Sequence, residues 1–297
     1  DRIGVFIIPG TSSSIDILLD EKTEVNDLRP YIDTIRRVKS ASEIQYMQEA
    51  ASIASSAHEK AMRNSRPGMG EWEIQAMVEG HFMSSQSQWS FPSIVGGGDN
   101  ATVLHYKDNN QVIGSGDLVL VDAGCEVSGY ASDITRTWPV NGRFSQPQRE
   151  IYNLVLKAEL AGIEACQPGM PWVSMHEAVC VTIAEGLIEL GVLNCTLEDA
   201  LGRVAGKPGV FEGQIRNFFM HGTGHFLGLD VHDVGGGRQG DPNSSFLLEP
   251  GMVLTIEPGL YFGSWRNDIL IPERYAGIGI RIEDDVLVTE QGPFVLS

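Results

Sequence analysis

Cationic residues are scarce in this chain of 297 residues: 21 Lys and Arg stand against 39 Asp and Glu, a formal net charge of −18. Nucleic acid and anionic membrane surfaces both call for basic patches, so the deficit argues against either as a partner. Most of the acidity reads as surface charge that favours solubility. No apolar run approaches the roughly 20 residues of a membrane-spanning helix. The four cysteines (Cys125, Cys166, Cys180 and Cys195) form no Cys-x-x-Cys pair and no dense framework, which fits a reducing, cytoplasmic-type compartment. Neither a signal nor a transit peptide is visible. A Gly-x-Ser-x-Gly elbow is missing, and Gly222-Thr223-Gly224 lacks the third glycine of a dinucleotide loop, so serine hydrolase and dehydrogenase readings fall away.

What is present is ordinary globular material, 42% apolar and 20% charged, long enough for one large domain with a smaller appendage. The chain opens without Met on strand-like Val5 to Ile8, as a piece clipped from a longer polypeptide would. A Gly-Thr-Ser-Ser-Ser turn at Gly10 to Ser14, a second apolar piece at Ile15 to Leu19 and an Arg29-Pro30 linker follow. Ser40 and Glu43 have capping-box spacing ahead of Ile44, Met47, Ala51 and Ala54 at helical period. A second helix is expected around Trp72 to Phe82, a strand at Pro92 to Val95, and a hairpin over Asp117 to Val140. Ser145 and Gln148 cap the next helix, another spans Trp172 to Leu190, and strand-rich sequence covers Met220 to Val231, Met252 to Glu257 and Gly279 to Val288. Two helices then strands, twice over, suggests an α+β fold of two similar halves.

Within those strands sit charges that an apolar environment does not welcome. Asp122 ends the run Leu118 to Val121, and Asp133 lies among small and β-branched residues on the returning strand. Eleven residues apart, the two can face each other across an antiparallel ladder, where carboxylates repel unless they share a proton or a metal. Otherwise one of them sits at a turn and the other pairs with Arg136. In His221-Gly222-Thr223-Gly224-His225 the Glu of a zinc-protease helix is missing and two glycines spoil a helix, so an extended segment is expected. With His232, three of the chain's seven histidines fall in this stretch, which packing alone does not explain. Glu257 ends the apolar run Met252 to Ile256, whereas Glu249, in a second Glu-Pro-Gly triplet, reads as a loop residue. Period two puts Arg281 and Glu283 on one strand face; an exposed ion pair is the alternative, with Asp284 and Asp285 solvated beside it. Asp122, Asp133, His225, Glu257 and Glu283 sent to sheet interiors imply shared positive charge, most simply two divalent ions. An oxygen-rich set with one imidazole suits Mn²⁺, with Co²⁺, Fe²⁺ or Zn²⁺ as substitutes.

The stretches LHY, LVDAG, SDITRTWPV, HGTGHFLGLDVHDVG, TIEPG and GIGIRIEDD resemble the pita-bread metallopeptidases, most of all the Xaa-Pro aminopeptidases (aminopeptidase P), with prolidase a close relative. The resemblance implies a pita-bread catalytic domain over residues 38–297, with residues 1–37 as the tail of a mostly absent N-terminal domain plus linker. It implies that Asp122 holds one ion, that Asp133 and Glu283 bridge both, and that His225 and Glu257 complete the other. His105, His221 and His232 match the family's non-ligand histidines around substrate, and Arg281 and Tyr261 its supporting polar residues. The implied reaction releases the first residue from peptides with Pro second, by attack of a metal-bridged hydroxide on the Xaa-Pro bond. Glu257 would shuttle the proton, and His232 or His221 would bind the carbonyl oxygen. A homo-oligomer, dimer or tetramer, is implied as well. Prolidase shares every ligand. Methionine aminopeptidase lacks the GLDVHDVG-type run. Non-catalytic pita-bread modules lose ligands that this chain keeps. The departures from the family are the missing N-terminal bulk and an insertion-like segment near Asn194 to Gln214.

Overall fold

The structure, a computed structural model, describes residues 4–8, 10, 24–234 and 246–297. At the N-terminus, β1 (Gly4–Ile7) pairs in parallel with β2 (Glu24–Asp27). The expected Gly10–Ser14 turn and Ile15–Leu19 piece lie outside the described residues, Gly10 apart. The expected linker at Arg29-Pro30 is instead a helix, α1 (Arg29–Arg37). Pro30 sits in its first turn, where the missing N–H has no helical partner to lose, and Arg36 and Arg37 in the last turn favour the dipole.

Two helices follow, α2 (Ala41–Asn64) and α3 (Glu71–Ser84). The capping box that starts α2 closes as the spacing requires. Glu43 Oε2 accepts from the Ser40 N–H at 2.7 Å, and Ser40 Oγ accepts from the Glu43 N–H at 3.4 Å. The pair packs its alanine-rich and apolar faces on Val95, Val119 and Val121. Those residues belong to the first sheets, built from β3 (Gln88–Trp89), β4 (Ile94–Gly97), β5 (Leu118–Asp122), β6 (Cys125–Val127), β7 (Tyr130–Ala131) and β8 (Thr135–Pro139).

The second half repeats the plan. The helices α4 (Gln146–Glu164), with a capping box from Ser145 and Gln148, and α5 (Val173–Glu189) bury Ile151, Val155, Ile183 and Leu187 against Leu260, Ile280 and Ile282. The segment at Asn194 to Gln214 carries a short helix, α6 (Leu197–Leu201), and sinks Leu201 and Phe211 into the same core. The strands β9 (Val253–Ile256), β10 (Gly259–Phe262), β11 (Ile278–Arg281), β12 (Asp284–Thr289) and β13 (Gly292–Val295) complete it.

The strand registers show how the halves meet. Asp117 to Val140 is the expected hairpin, pairing from Leu118↔Pro139 through Asp122↔Thr135 to Val127↔Tyr130 in one unbroken register. It turns at Ser128 (φ 52°) and Gly129 (φ 86°), a tight two-residue loop of the kind that needs positive φ. One expectation is corrected here: Asp122 and Asp133 are not opposite each other. Asp122 faces Thr135, and Asp133 is its diagonal neighbour beside Gly124. A Cβ on Gly124 would lie 1.7 Å from the Ser132 carbonyl oxygen, so the ladder tightens and loses regularity there. Likewise β9–β10 and β11–β12 share one register, Asp284↔Ile256 and Gly259↔Arg281, interrupted at Pro258, which has no N–H to pair. The two ladders join where Thr135 bridges Glu283.

The Met220 to Val231 stretch is not a strand. It runs extended beside β9, with the Thr255 and Glu257 amides donating to the His225 and Thr223 carbonyls at 2.9 and 2.7 Å. Gly224 allows that approach, since a Cβ there would fall 1.8 Å from the Thr255 carbonyl oxygen. Among the described residues no helix is long and apolar enough to cross a membrane.

Candidate metal centre and active site

The registers place Asp122, Thr135, Glu283 and Glu257 side by side, with Asp133 and His225 in the adjacent positions. Each charged residue sits at or next to an interruption of its ladder, with regular strand on both sides to hold it. Asp122, Asp133, His225, Glu257 and Glu283 all line one cavity of about 660 Å³, with His105, His221, His232 and Arg281 also on its wall. Tyr261 is not on that wall; it stands behind it, fully buried. Ser90, Phe91, Pro92, Ile94 and Leu104 add a largely apolar side.

The distances are short. Ligand atoms of Asp133, His225 and Glu283 all lie within 4.8 Å of one another. His225 Nε2 is 3.4 Å from Asp133 Oδ2 and 3.7 Å from Glu257 Oε1. Its Nδ1 lies 3.0 Å from the Phe226 carbonyl, which fixes the tautomer with Nδ1–H donating and leaves the Nε2 lone pair facing the carboxylates. Arg281 spreads three donors: Nη2 to Asp122 Oδ2 at 2.5 Å, Nη1 to the Tyr261 hydroxyl at 3.0 Å and Nε to Thr135 Oγ1 at 3.1 Å. The Thr135 hydroxyl in turn donates to Glu283 Oε2 at 2.6 Å. The Tyr261 hydroxyl donates to His221 Nε2 at 2.8 Å, and His221 Nδ1–H donates to the Gly222 carbonyl at 2.8 Å.

Electrostatically, four carboxylates face one guanidinium. Burial, with Glu283 and Asp122 nearby, raises the Asp133 carboxyl well above its ordinary range, and burial beside Glu257 does the same to Glu283. Burial pushes Glu257 up to about 8. Burial pulls His225 down to about 4 and His221 to about 3, so both imidazoles are neutral; the His225 Nε2 lone pair is open to the cavity, while that of His221 accepts from Tyr261. Asp122 Oδ1 and Asp133 Oδ1 are buried without any hydrogen-bond partner among the described residues. An orphaned buried carboxylate oxygen costs on the order of 1–3 kcal/mol or more, and two of them beside an imidazole lone pair suit divalent cations. The donor set fits a divalent metal ion.

Several residues differ from expectation. The exposed Arg281–Glu283 pair is excluded, because both side chains are almost fully buried and face the cavity. Asp284 and Asp285 are not solvated: Asp284 pairs with Arg136 at 2.5 Å, and buried Asp285 accepts the Asp133 N–H at 3.2 Å. Arg136 is thereby spent on Asp284, not on Asp133. Glu249 is exposed, as a loop residue should be. Thr135, which links Arg281 to Glu283, carries no charge to mark it in the sequence; its position two residues after Asp133 is the available signal.

Fold and donor set together describe a two-halved metallopeptidase. The chain matches the model of metallopeptidase family M24 over residues 45–290 and belongs to that family. It is 43% identical to the Xaa-Pro aminopeptidase of Haemophilus influenzae over 99% of this chain and 66% of the relative. Against the Xaa-Pro aminopeptidase of Escherichia coli it is 44% identical over 90% of this chain and 57% of the relative. Pseudomonas aeruginosa aminopeptidase PepP matches with a TM-score of 0.89 at 38% identity, covering 99% of this chain and 67% of that one. Escherichia coli aminopeptidase P with the inhibitor Pro-Leu matches at 0.87 and 40% identity, with the same coverage. The α+β pita-bread fold is therefore established. The chain spans from just over half to about two thirds of the length of these two curated relatives.

Proposed function

We propose that this chain is the catalytic part of a metal-dependent aminopeptidase that releases the N-terminal residue from peptides with Pro in second place. The observation that carries the reading is the convergence of Asp122, Asp133, His225, Glu257 and Glu283 on one cavity with two carboxylate oxygens left unpaired. Those five side chains would hold two divalent ions, Mn²⁺ by the oxygen-rich donor set. When bound, such ions polarise a carbonyl and bring the pKa of water toward ~7.

The chain's own residues supply the rest. Glu257, on the cavity wall with Oε1 3.7 Å from His225 Nε2, is placed to take a proton from the attacking water and return it to the departing proline nitrogen. Both His221 nitrogens are engaged, by Tyr261 and Gly222, whereas no described residue hydrogen-bonds the His232 imidazole. His232 is thus the better donor to the developing oxyanion, with His105 across the cavity wall. Arg281 orients Asp122 and, through Thr135, Glu283. An Xaa-Pro bond carries no N–H, so recognition rests on shape, and Phe91, Pro92, Ile94 and Leu104 offer an apolar wall for the pyrrolidine ring. The free N-terminal amine fits beside Asp122.

Residues 38–297 form the catalytic domain in this reading, and residues 1–37 end an N-terminal one. A homo-oligomer and a cytoplasmic setting belong to it too, the latter supported by four unpaired cysteines, three of them buried. Protein reloaded with Mn²⁺ should release Xaa from Xaa-Pro-Yaa tripeptides, and Asp133→Ala or His225→Ala should abolish release. Full activity in both variants would show the site assignment to be wrong. Turnover of Xaa-Pro dipeptides in place of tripeptides would make the protein a prolidase.

A further inference from the structure

We propose that Asp233, clamped between Lys39 and Arg36, is a positioning residue that holds His232 over the reaction cavity; the proposal rests on the peptidase function above. His232 lies in the loop that leaves the His225 segment at Phe226 and ends at Asp233. Its ring is centred 4.1 Å from that of His225, and no described residue hydrogen-bonds its nitrogens. Leu229, at the loop apex, is 46% exposed and gives little anchorage. The ring's position is therefore set by the backbone on either side.

On one side the Gly228 carbonyl accepts the Ala131 N–H at 2.9 Å. On the other, Asp230 pairs with Arg36 Nη2 at 2.9 Å, and most contacts centre on Asp233. Its N–H donates to the Phe226 carbonyl at 2.8 Å, closing the loop at its base. Its Oδ1 accepts from Arg36 Nη2 at 2.5 Å and from the Val234 N–H at 2.9 Å, and its Oδ2 from Lys39 Nζ at 3.3 Å. The Lys39 and Asp233 side chains are each 1% exposed. An ion pair that deep commonly returns less than its desolvation costs, so bulk stability is a poor reason to keep it and fixing one geometry a better one. Gly228 completes the arrangement: a Cβ there would meet Asp233 Oδ2 at 2.2 Å and Lys39 Cε at 2.9 Å. Arg36 comes from the last turn of α1 and Lys39 from the short link between α1 and α2, so the N-terminal segment reaches His232 through this clamp.

Two variants test it: Asp233→Asn, and the charge-balanced Asp233→Asn/Lys39→Met, which leaves no buried unpaired charge if the first fails to fold. Each should lower kcat on Xaa-Pro-Yaa peptides about 10–100-fold, the effect of losing a group that orients an active one. KM and Mn²⁺ affinity should stay within about twofold of wild type, since no proposed metal ligand is touched. In a His232→Ala background Asp233→Asn should add no further loss, because it acts through that ring. Losses that multiply in that background, or an unchanged kcat in either folded variant, overturn the proposal. The His232 ring resonance supplies a readout without turnover: it should shift or broaden in both variants, and an unmoved line also overturns the clamp. An inactive wild type would sink the peptidase function, and the resonance would still decide the clamp.

Discussion

Replacing Thr135 with Val keeps the shape of a fully buried side chain and removes only its hydroxyl. That hydroxyl accepts from Arg281 Nε at 3.1 Å and donates to Glu283 Oε2 at 2.6 Å, in a position water does not reach. The variant thus leaves a guanidinium N–H and a carboxyl oxygen each one partner short. One bond to a charged group and one to a carboxyl that keeps its proton without a cation sum to about 2–4 kcal/mol. Thr135→Ser is the control: it loses a methyl, about 1 kcal/mol, but keeps both hydrogen bonds. Urea unfolding in chelator should therefore rank wild type above Ser above Val. Calorimetric titration should find Mn²⁺ bound about 10–100-fold more weakly by Val, with Ser close to wild type, because Glu283 loses the group that orients it. If Ser proves as costly as Val, or if Val lies within about 0.5 kcal/mol of wild type, the relay from Arg281 through Thr135 to Glu283 contributes nothing and the reasoning is wrong.

Without metal, Glu257 has its pKa raised from 4.5 to about 8, and Asp133 and Glu283 are raised too, so the folded state keeps protons that the unfolded chain releases. That stabilisation is fully present below the unfolded carboxyl value and fades as pH climbs toward the folded one. His221 and His225, lowered from 6.5, act in the opposite sense at more acid pH. Thermal melts of chelator-treated protein should therefore drop between pH 6.5 and 8, while Mn²⁺-loaded protein holds level; parallel curves would contradict the electrostatics. Gly224→Ala places a Cβ 1.8 Å from a backbone oxygen, whereas Gly222→Ala meets nothing within 4 Å. The first should cost about 3 kcal/mol or more and the second almost nothing, as melting curves will report. Arg281→Lys keeps the charge but reaches one of three partners. Its kcat/KM should fall about 10–100-fold, and a near-wild-type value would mean the three-way contact is dispensable.

Local chemistry made much of this architecture legible. The α2 and α4 starts follow from capping boxes within four residues, and the extended His221 to His225 segment from two glycines that a helix resists. The α1 helix escaped because Arg29-Pro30 reads equally as a linker and as a first helical turn. The diagonal relation of Asp122 to Asp133 depends on which residues occupy the turn, and Ser128-Gly129 sets that register. Asp285 read as a solvated acid because its partner is the Asp133 amide, 152 residues away, and nothing near Asp233 points to Lys39, 194 residues away. Pairings that distant leave no periodic trace in the chain.

What patterning does reveal is misfit. A carboxylate in an apolar strand announces that something beyond the strand stabilises it, without saying what. Here the partner is distributed. Arg281 satisfies one oxygen of Asp122, and Thr135 one of Glu283, while the second oxygen of Asp122 and one of Asp133 stay open. A single guanidinium cannot neutralise four acids, and neutral His225 adds a lone pair instead of a charge. The sheet also denies them an escape to water, because each is pinned next to a ladder interruption at Gly124 or Pro258 with regular pairing on both sides. Two features that would be faults in an ordinary core, irregular backbone and unpaired charge, coincide at one seam, and that coincidence makes the seam a place for cations.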